Sequence, residues 1–170
     1  VSVMPLPSLK QQFAALLASP SISCTQPELD QSNLGVIHLL ADWLNELGFA
    51  CQIQPIDGYS GKANLIATLG SGPGGLVLAG HTDTVPCNPD RWQSDPFSLR
   101  EADNRWYGLG SCDMKGFFPL IIEAVRHYRA SDFRRPLIVL ATADEESSMS
   151  GARALVADSL HAARHAVIGE

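Results

Sequence analysis

The chain has 170 residues, enough for one domain with a dry core, since folding at about 150 residues already buries roughly 68–70% of the unfolded surface. A hydrophobic content of 45%, 18% charged residues and a mean hydropathy of +0.03 exclude a disordered chain, and no stretch approaches the roughly 18 apolar residues of a membrane span. The formal charge of −6, with 12 basic residues that form no stripe, argues against a nucleic-acid partner.

Apolar residues at Leu6, Leu9, Phe13, Leu16 and Leu17 recur at helical spacing, and Pro20 ends the pattern, so a first helix is expected over 6–17. Thr25 with Glu28 reads as a capping box, followed by the stripe Leu34, Ile37, Leu40, Leu44 and Leu47 of a long helix closed by Gly48. Two strand-like runs, Phe49 to Ile56 and Lys62 to Leu69, flank the turn residues Asp57 to Gly61 and predict a hairpin. The Gly-rich segment Ser71 to Gly75 is a plain turn. A phosphate loop would need a following Gly-Lys-Ser/Thr, and Lys62, the nearest lysine, is not aimed there by any local pattern.

A strand over Leu76 to Ala79, a helix over Lys115 to Arg129, a buried strand over Leu137 to Ala143, a helix over Gly151 to Ala163 and a buried strand over Ala166 to Ile168 follow. Strands alternating with helices imply an α/β sheet covered on both faces. Cys24, Cys51, Cys87 and Cys112 form no C-x-x-C pair and read as reduced, partly buried thiols. With no signal-peptide pattern near Lys10, a cytoplasmic location is the expectation.

The chemistry concentrates where these strands run out. His81 and Asp83 follow Gly80 at the end of one strand, and ligand sites in α/β sheets lie at such ends. Their two-residue spacing lets the carboxylate orient the imidazole. Asp113 stands in a Gly-rich turn that leads into a helix, a place where capping is the ordinary role. Asp144, Glu145 and Glu146 follow the next strand; like charges this close raise one another's pKa unless a cation compensates. Glu170 repeats the strand-glycine-acid pattern. Imidazole and carboxylates together suit zinc, cobalt or manganese.

In order, H-T-D-T-V-P from His81, G-L-G-S-C-D-M-K-G from Gly108, A-D-E-E-S from Ala143 and V-I-G-E from Val167 resemble the M20 metallopeptidase family of co-catalytic zinc hydrolases. Within it, Leu39 to Trp43, Leu47-Gly48-Phe49, Arg91-Trp92, Asp95-Pro96-Phe97 and Ala141 to Glu146 look most like members that deacetylate N-acetyl amino acids.

The resemblance implies a three-layer α/β domain, a mixed sheet with helices on both faces, of the zinc-peptidase type. By the same analogy Asp113 bridges two Zn2+ ions, for which Co2+ can substitute, and His81 and Glu170 complete the protein ligands of one. Glu146 binds the other, Asp83 orients His81, and Glu145 is the general base. A cis peptide is expected after Asp113. His38, His127, His161 and His165, with no acidic motif beside them, read as surface or partly packed histidines.

Residues 1–170 are then the N-terminal part of the catalytic domain. The lid or dimerisation domain and the returning C-terminal part, with a further histidine ligand, are not present, so this length alone is expected to be inactive or nearly so. A small N-acyl amino acid is the expected substrate, and a homodimer through the lid the expected full-length assembly, with neither membrane nor nucleic acid as partner. A desuccinylase or aminoacylase of the same family, or an inert metal-binding interaction module, are the alternatives.

Overall fold

The computed structural model describes residues 6–157 and 163–170. Helix α1 (Leu9–Leu17) begins three residues later than the periodicity suggests, because Ser8 caps it. The Ser8 side chain accepts from the Gln11 amide while the Gln11 side chain takes the Ser8 N–H. A capping box therefore exists here and not at Thr25, which with Glu28 lies in a turn outside any helix. Helix α2 (Leu34–Glu46) instead follows Asn33, whose amide makes no cap. Asn33 donates to Ala63 O at 2.8 Å and Thr82 Oγ1 at 2.8 Å, and accepts from Ala63 N at 3.0 Å, tying the helix to the sheet.

Strands β1 (Ala50–Pro55) and β2 (Ala63–Leu69) form the expected antiparallel hairpin. Strands β3 (Leu76–His81), β6 (Leu137–Thr142) and β7 (His165–Ile168) complete a sheet of order β1-β2-β6-β3-β7. The pairings β2/β6 and β1/β2 are antiparallel, whereas β6/β3 and β3/β7 are parallel. The three parallel strands thus direct their C-terminal ends to one edge of the sheet.

Alternation along each strand divides the apolar residues between two layers. Leu65, Ala67, Leu69, Leu137, Val139 and Ala141 meet the helical cluster formed by Leu16 of α1, Ile37, Leu40 and Leu44 of α2, and Phe118 and Ile122 of α3 (Phe117–Val125). Ile66, Val77 and Ile138 point to the other face and pack with Leu155 of α4 (Ser150–Ala157). The expected three-layer arrangement, a mixed sheet between helices, is present.

Two local expectations are revised, and one hairpin is added. Helix α3 is shorter than 115–129: Lys115 precedes it, and a 3-10 turn at Ala130–Asp132 follows, with the Asp132 carboxylate accepting from Arg129 N at 2.7 Å. Strand β7 is exposed along its length, with Val167 at 47% and Ile168 at 66% exposure, because it pairs with β3 alone and forms the sheet edge. A small hairpin of β4 (Arg100–Ala102) and β5 (Arg105–Tyr107) turns at Asp103-Asn104, both with positive φ. Strands of three residues are too short to show alternation in the sequence. The last part of the helix expected over 151–163 lies outside the described residues, as does His161. No helix among the described residues is long and apolar enough to cross a membrane. All four cysteines are free thiols, with Cys112 exposed.

Candidate metal centre

Each strand end at the parallel edge delivers one piece of the site. Strand β3 ends on His81, and the chain beyond it is held by the segment near Ile22: Ser21 Oγ donates to Thr82 O at 2.6 Å and Ser23 N to Thr84 O at 2.9 Å. The turn after β6 carries Asp144, Glu145 and Glu146, and Glu170 follows β7. Asp113 stands before α3 on a loop whose Asp113-Met114 peptide bond is cis, as the resemblance implied. Gly116, not Asp113, occupies the cap position of α3, so the ordinary capping role does not apply.

His81 is 2% exposed and held through both ring nitrogens. Its Nδ1 lies 3.0 Å from the main-chain oxygen of Asp83 and 3.5 Å from Asp83 Oδ1, and its Nε2 lies 3.0 Å from Asp113 Oδ1. A carbonyl oxygen only accepts, so Nδ1 carries a proton, and in the neutral imidazole Nε2 keeps its lone pair for a ligand on the Asp113 side. Asp83 thus meets the His81 ring with its main-chain oxygen as well as with its carboxylate. That carboxylate, fully buried, accepts the main-chain N–H of Glu145 at 3.2 Å and of Glu146 at 3.0 Å. One side chain therefore aligns the histidine and pins the acidic turn.

The protonation equilibria reflect this crowding. Burial alone would lower the His81 pKa, but the Asp83 hydrogen bond and the charges of Asp83, Asp113 and Glu145 outweigh it and lift it to about 9. Burial would raise Asp83, yet His81 and the two amide donors carry it below the ordinary carboxylate range. Glu146 is pushed up, first by burial and then by the charge of Asp113, with Glu145 and Asp83 adding to the effect against His81.

His81, Asp113 and Glu170 each offer a ligand atom within 4.8 Å of the others, and so do His81, Glu145 and Glu146. His81, Asp113, Glu145, Glu146 and Glu170 are thus gathered at one place, with Asp83 in contact with His81 and the acidic turn. The donor set fits a divalent metal: four carboxylates face one imidazole, and a cation offsets the repulsion that adds to burial in raising Glu146. Beside the donors lies a cleft of about 620 Å3, lined by Ala79, Met114, Leu140, Leu155 and Ile168 as well as by His81, Glu145 and Glu170. Its wall is largely apolar, with the acids at one end.

Two charged residues of the neighbourhood were not distinguished as such in the sequence. Asp144, one of the three consecutive acids, turns inward: its carboxylate meets Lys62 Nζ at 2.7 Å, Ser23 Oγ at 3.0 Å and Ser150 Oγ at 2.8 Å. The acidic run is therefore split between a buried carboxylate paired with Lys62 and two half-buried ones beside His81. Lys115, 1% exposed, donates to Ser19 O at 2.9 Å and Leu16 O at 3.3 Å at the C-terminal end of α1, and burial lowers its pKa to about 8. A lysine directly after the Cys-Asp-Met segment that carries Asp113 was the available signal for it. His38, His127 and His165 are exposed, in line with the surface reading.

Parallel strands ending in an imidazole and clustered carboxylates define a divalent-metal-dependent α/β domain. The chain belongs to the peptidase family M20/M25/M40, whose model matches residues 77–170. It is 54% identical over 165 residues to an acetylornithine deacetylase of Photorhabdus laumondii and 53% identical to one of Proteus mirabilis, in each case over 97% of this chain and 43% of the relative. The chain therefore spans less than half the length of these relatives. Among solved structures it resembles human carnosine dipeptidase 1, at a TM-score of 0.77 and 25% identity over 94% of this chain and 37% of that one. It also shares its fold with an M20 family metallo-carboxypeptidase of Sulfolobus solfataricus, at a TM-score of 0.76 and 19% identity over 96% of this chain and 37% of that one.

Proposed function

We propose that these residues form the N-terminal part of the catalytic domain of a zinc-dependent deacetylase that hydrolyses N2-acetyl-L-ornithine to L-ornithine and acetate, a step of arginine biosynthesis in the cytoplasm. The observation that carries this reading is the similarity of 54% over 97% of the chain to an acetylornithine deacetylase. The gathering of His81, Asp113, Glu145, Glu146 and Glu170 beside the cleft supports it. The rest of the protein, 57% of the relatives' length by difference from the 43% matched, would hold the lid, the homodimer contact and the remaining histidine ligand.

His81, Asp113 and Glu170 would hold one ion, and Asp113 with Glu146 the other, with Co2+ able to replace Zn2+. Bound there, the metal pair supplies Lewis acidity toward the amide carbonyl and toward water. The Glu145 carboxylate takes a proton from the attacking water, whose oxygen bonds to the acetyl carbon, and delivers it to the nitrogen as the C–N bond breaks. Acetate and the free amine are the products, so no further reactant is needed. Asp83 holds both His81 and the Glu145-Glu146 turn in register through this exchange.

The test uses the full-length protein loaded with zinc or cobalt and offered N2-acetylornithine and N-succinyl-diaminopimelate in parallel. Preference for the acetylated substrate is expected, and Glu145→Gln should retain metal while turnover falls by at least about 100-fold. Preference for the succinyl compound would overturn the substrate, and near-normal turnover by Glu145→Gln would overturn the assigned base.

A further inference from the structure

Lys62 is a buried charge beside the acidic turn that the hydrolytic scheme leaves without a task. It closes the β1–β2 hairpin, where its main chain is fixed by Lys62 N donating to Tyr59 O at 3.2 Å and Lys62 O accepting from Ile56 N at 3.0 Å. Its side chain is 3% exposed, and burial of an ammonium costs several kcal/mol unless it is paired. Two carboxylates supply the pairing, Asp144 at 2.7 Å and Asp30 at 2.8 Å.

Asp144 sits directly before Glu145 and Glu146 in a left-handed conformation, φ 56°, which costs a non-glycine residue about 1 kcal/mol or more. Five contacts hold it there: Lys62, Ser23 Oγ and Ser150 Oγ on the carboxylate, and Met149 N at 2.6 Å and Ser147 N at 3.4 Å donating to its carbonyl. Ser23 and Ser150 are neutral, so among the described residues Lys62 is the only cation in contact with this carboxylate. The acidic turn is therefore held from two sides. Asp83 takes the amides of Glu145 and Glu146, and Lys62 takes the side chain of Asp144.

We propose that Lys62 is a positioning residue for Glu145 and Glu146, acting through Asp144 to hold the turn that aims both carboxylates into the site. This rests on the reading that those two acids serve the hydrolysis. Without the ammonium, the buried Asp144 charge has no compensation. The turn then relaxes toward solvent or a right-handed conformation, and the next two residues move with it. Asp30, at the other arm of the same lysine, is partly exposed; its carboxylate takes Lys62 Nζ at 2.8 Å and the Cys24 N–H at 3.1 Å, and asparagine can keep the latter, so Asp30→Asn removes the ion pair while leaving Lys62 on Asp144.

In the full-length, cobalt-loaded protein, Lys62→Met should lower kcat roughly 30-fold or more with KM changed by less than threefold, since displacement of a reacting group by about 1 Å costs on the order of 100-fold. The visible absorption of bound Co2+ should change in the same variant. Asp30→Asn should lower the melting temperature but keep kcat within twofold and leave the cobalt spectrum unaltered. If Lys62→Met does not fold, Asp144→Asn is read in its place with the same expectations. A folded Lys62→Met, or Asp144→Asn in its stead, with unchanged kcat and spectrum overturns the proposal. So does an Asp30→Asn that reproduces the full loss, because the lysine would then act through general stability. A wild-type protein inactive on every N-acyl amino acid, but with a cobalt spectrum that Lys62→Met alters, overturns the functional reading and leaves the positioning role standing.

Discussion

Replacing Asp83 by asparagine separates charge from shape at the residue that joins the histidine to the acidic turn. In the wild type the two carboxylate oxygens accept from Glu145 N at 3.2 Å and Glu146 N at 3.0 Å, with full burial. Asparagine offers one oxygen. Its amide nitrogen must then face one of the two N–H groups, donor against donor. Hydrogen bonds to a charged acceptor contribute about 1.5–3 kcal/mol, and a buried donor left without a partner costs about 1–3 kcal/mol. With one bond weakened to a neutral one and the other lost, Asp83→Asn should cost about 3–4 kcal/mol, a large share of a typical domain's 5–15 kcal/mol. Urea unfolding of the metal-free protein should show this as a lower midpoint with an unchanged slope. Zinc affinity, measured by competition with a chromophoric chelator, should fall by up to roughly 10-fold, because His81 loses the Asp83 carboxylate at 3.5 Å but keeps the main-chain oxygen at 3.0 Å. A stability loss below about 1 kcal/mol together with unchanged zinc affinity would refute the reasoning.

Two other measurements bear on the site and the core. Both donor triads share His81, whose Nδ1 is taken up by Asp83 and whose Nε2 faces Asp113, so calorimetric titration of these 170 residues should find one tight zinc site; two equal tight sites would contradict the geometry. Burial, followed by the negative charge of Asp42, raises the Cys51 thiol to about 11. A folded pKa above the unfolded value means that its contribution to stability is complete below the ordinary thiol pKa and is lost as pH rises through about 11. Since the thiolate is the nucleophile, alkylation of Cys51 at pH 9 should be about 50-fold slower in the native protein than in urea, as mass spectrometry would show; equal rates would mean that the thiol is not buried as described.

The features legible in the sequence were those written in local patterns. Alternation and helical spacing place β1, β2, β3, β6 and α2, and the strand-glycine-acid pattern marks His81, Asp83 and Glu170 as residues of one edge. Local pattern also misleads where a side chain has work elsewhere. Thr25 and Glu28 have the spacing of a capping box, yet α2 starts after Asn33, whose amide binds Ala63 and Thr82 across the sheet. The run Asp144-Glu145-Glu146 reads as three equivalent acids; in the fold the first faces Lys62, and the next two come together with His81.

What the sequence by itself determined is the order of strands and helices and the set of acids and one histidine that the strand ends present, because alternation, turn chemistry and burial period depend on neighbours a few residues away. The tertiary structure alone decided which of those charges meet. It placed Asp83 beneath the amides of Glu145 and Glu146, Asp113 on His81 Nε2, and Lys62 on Asp144. An ionised group can stay buried only where a distant counter-charge or donor is brought within about 3 Å, and no local pattern specifies which one arrives.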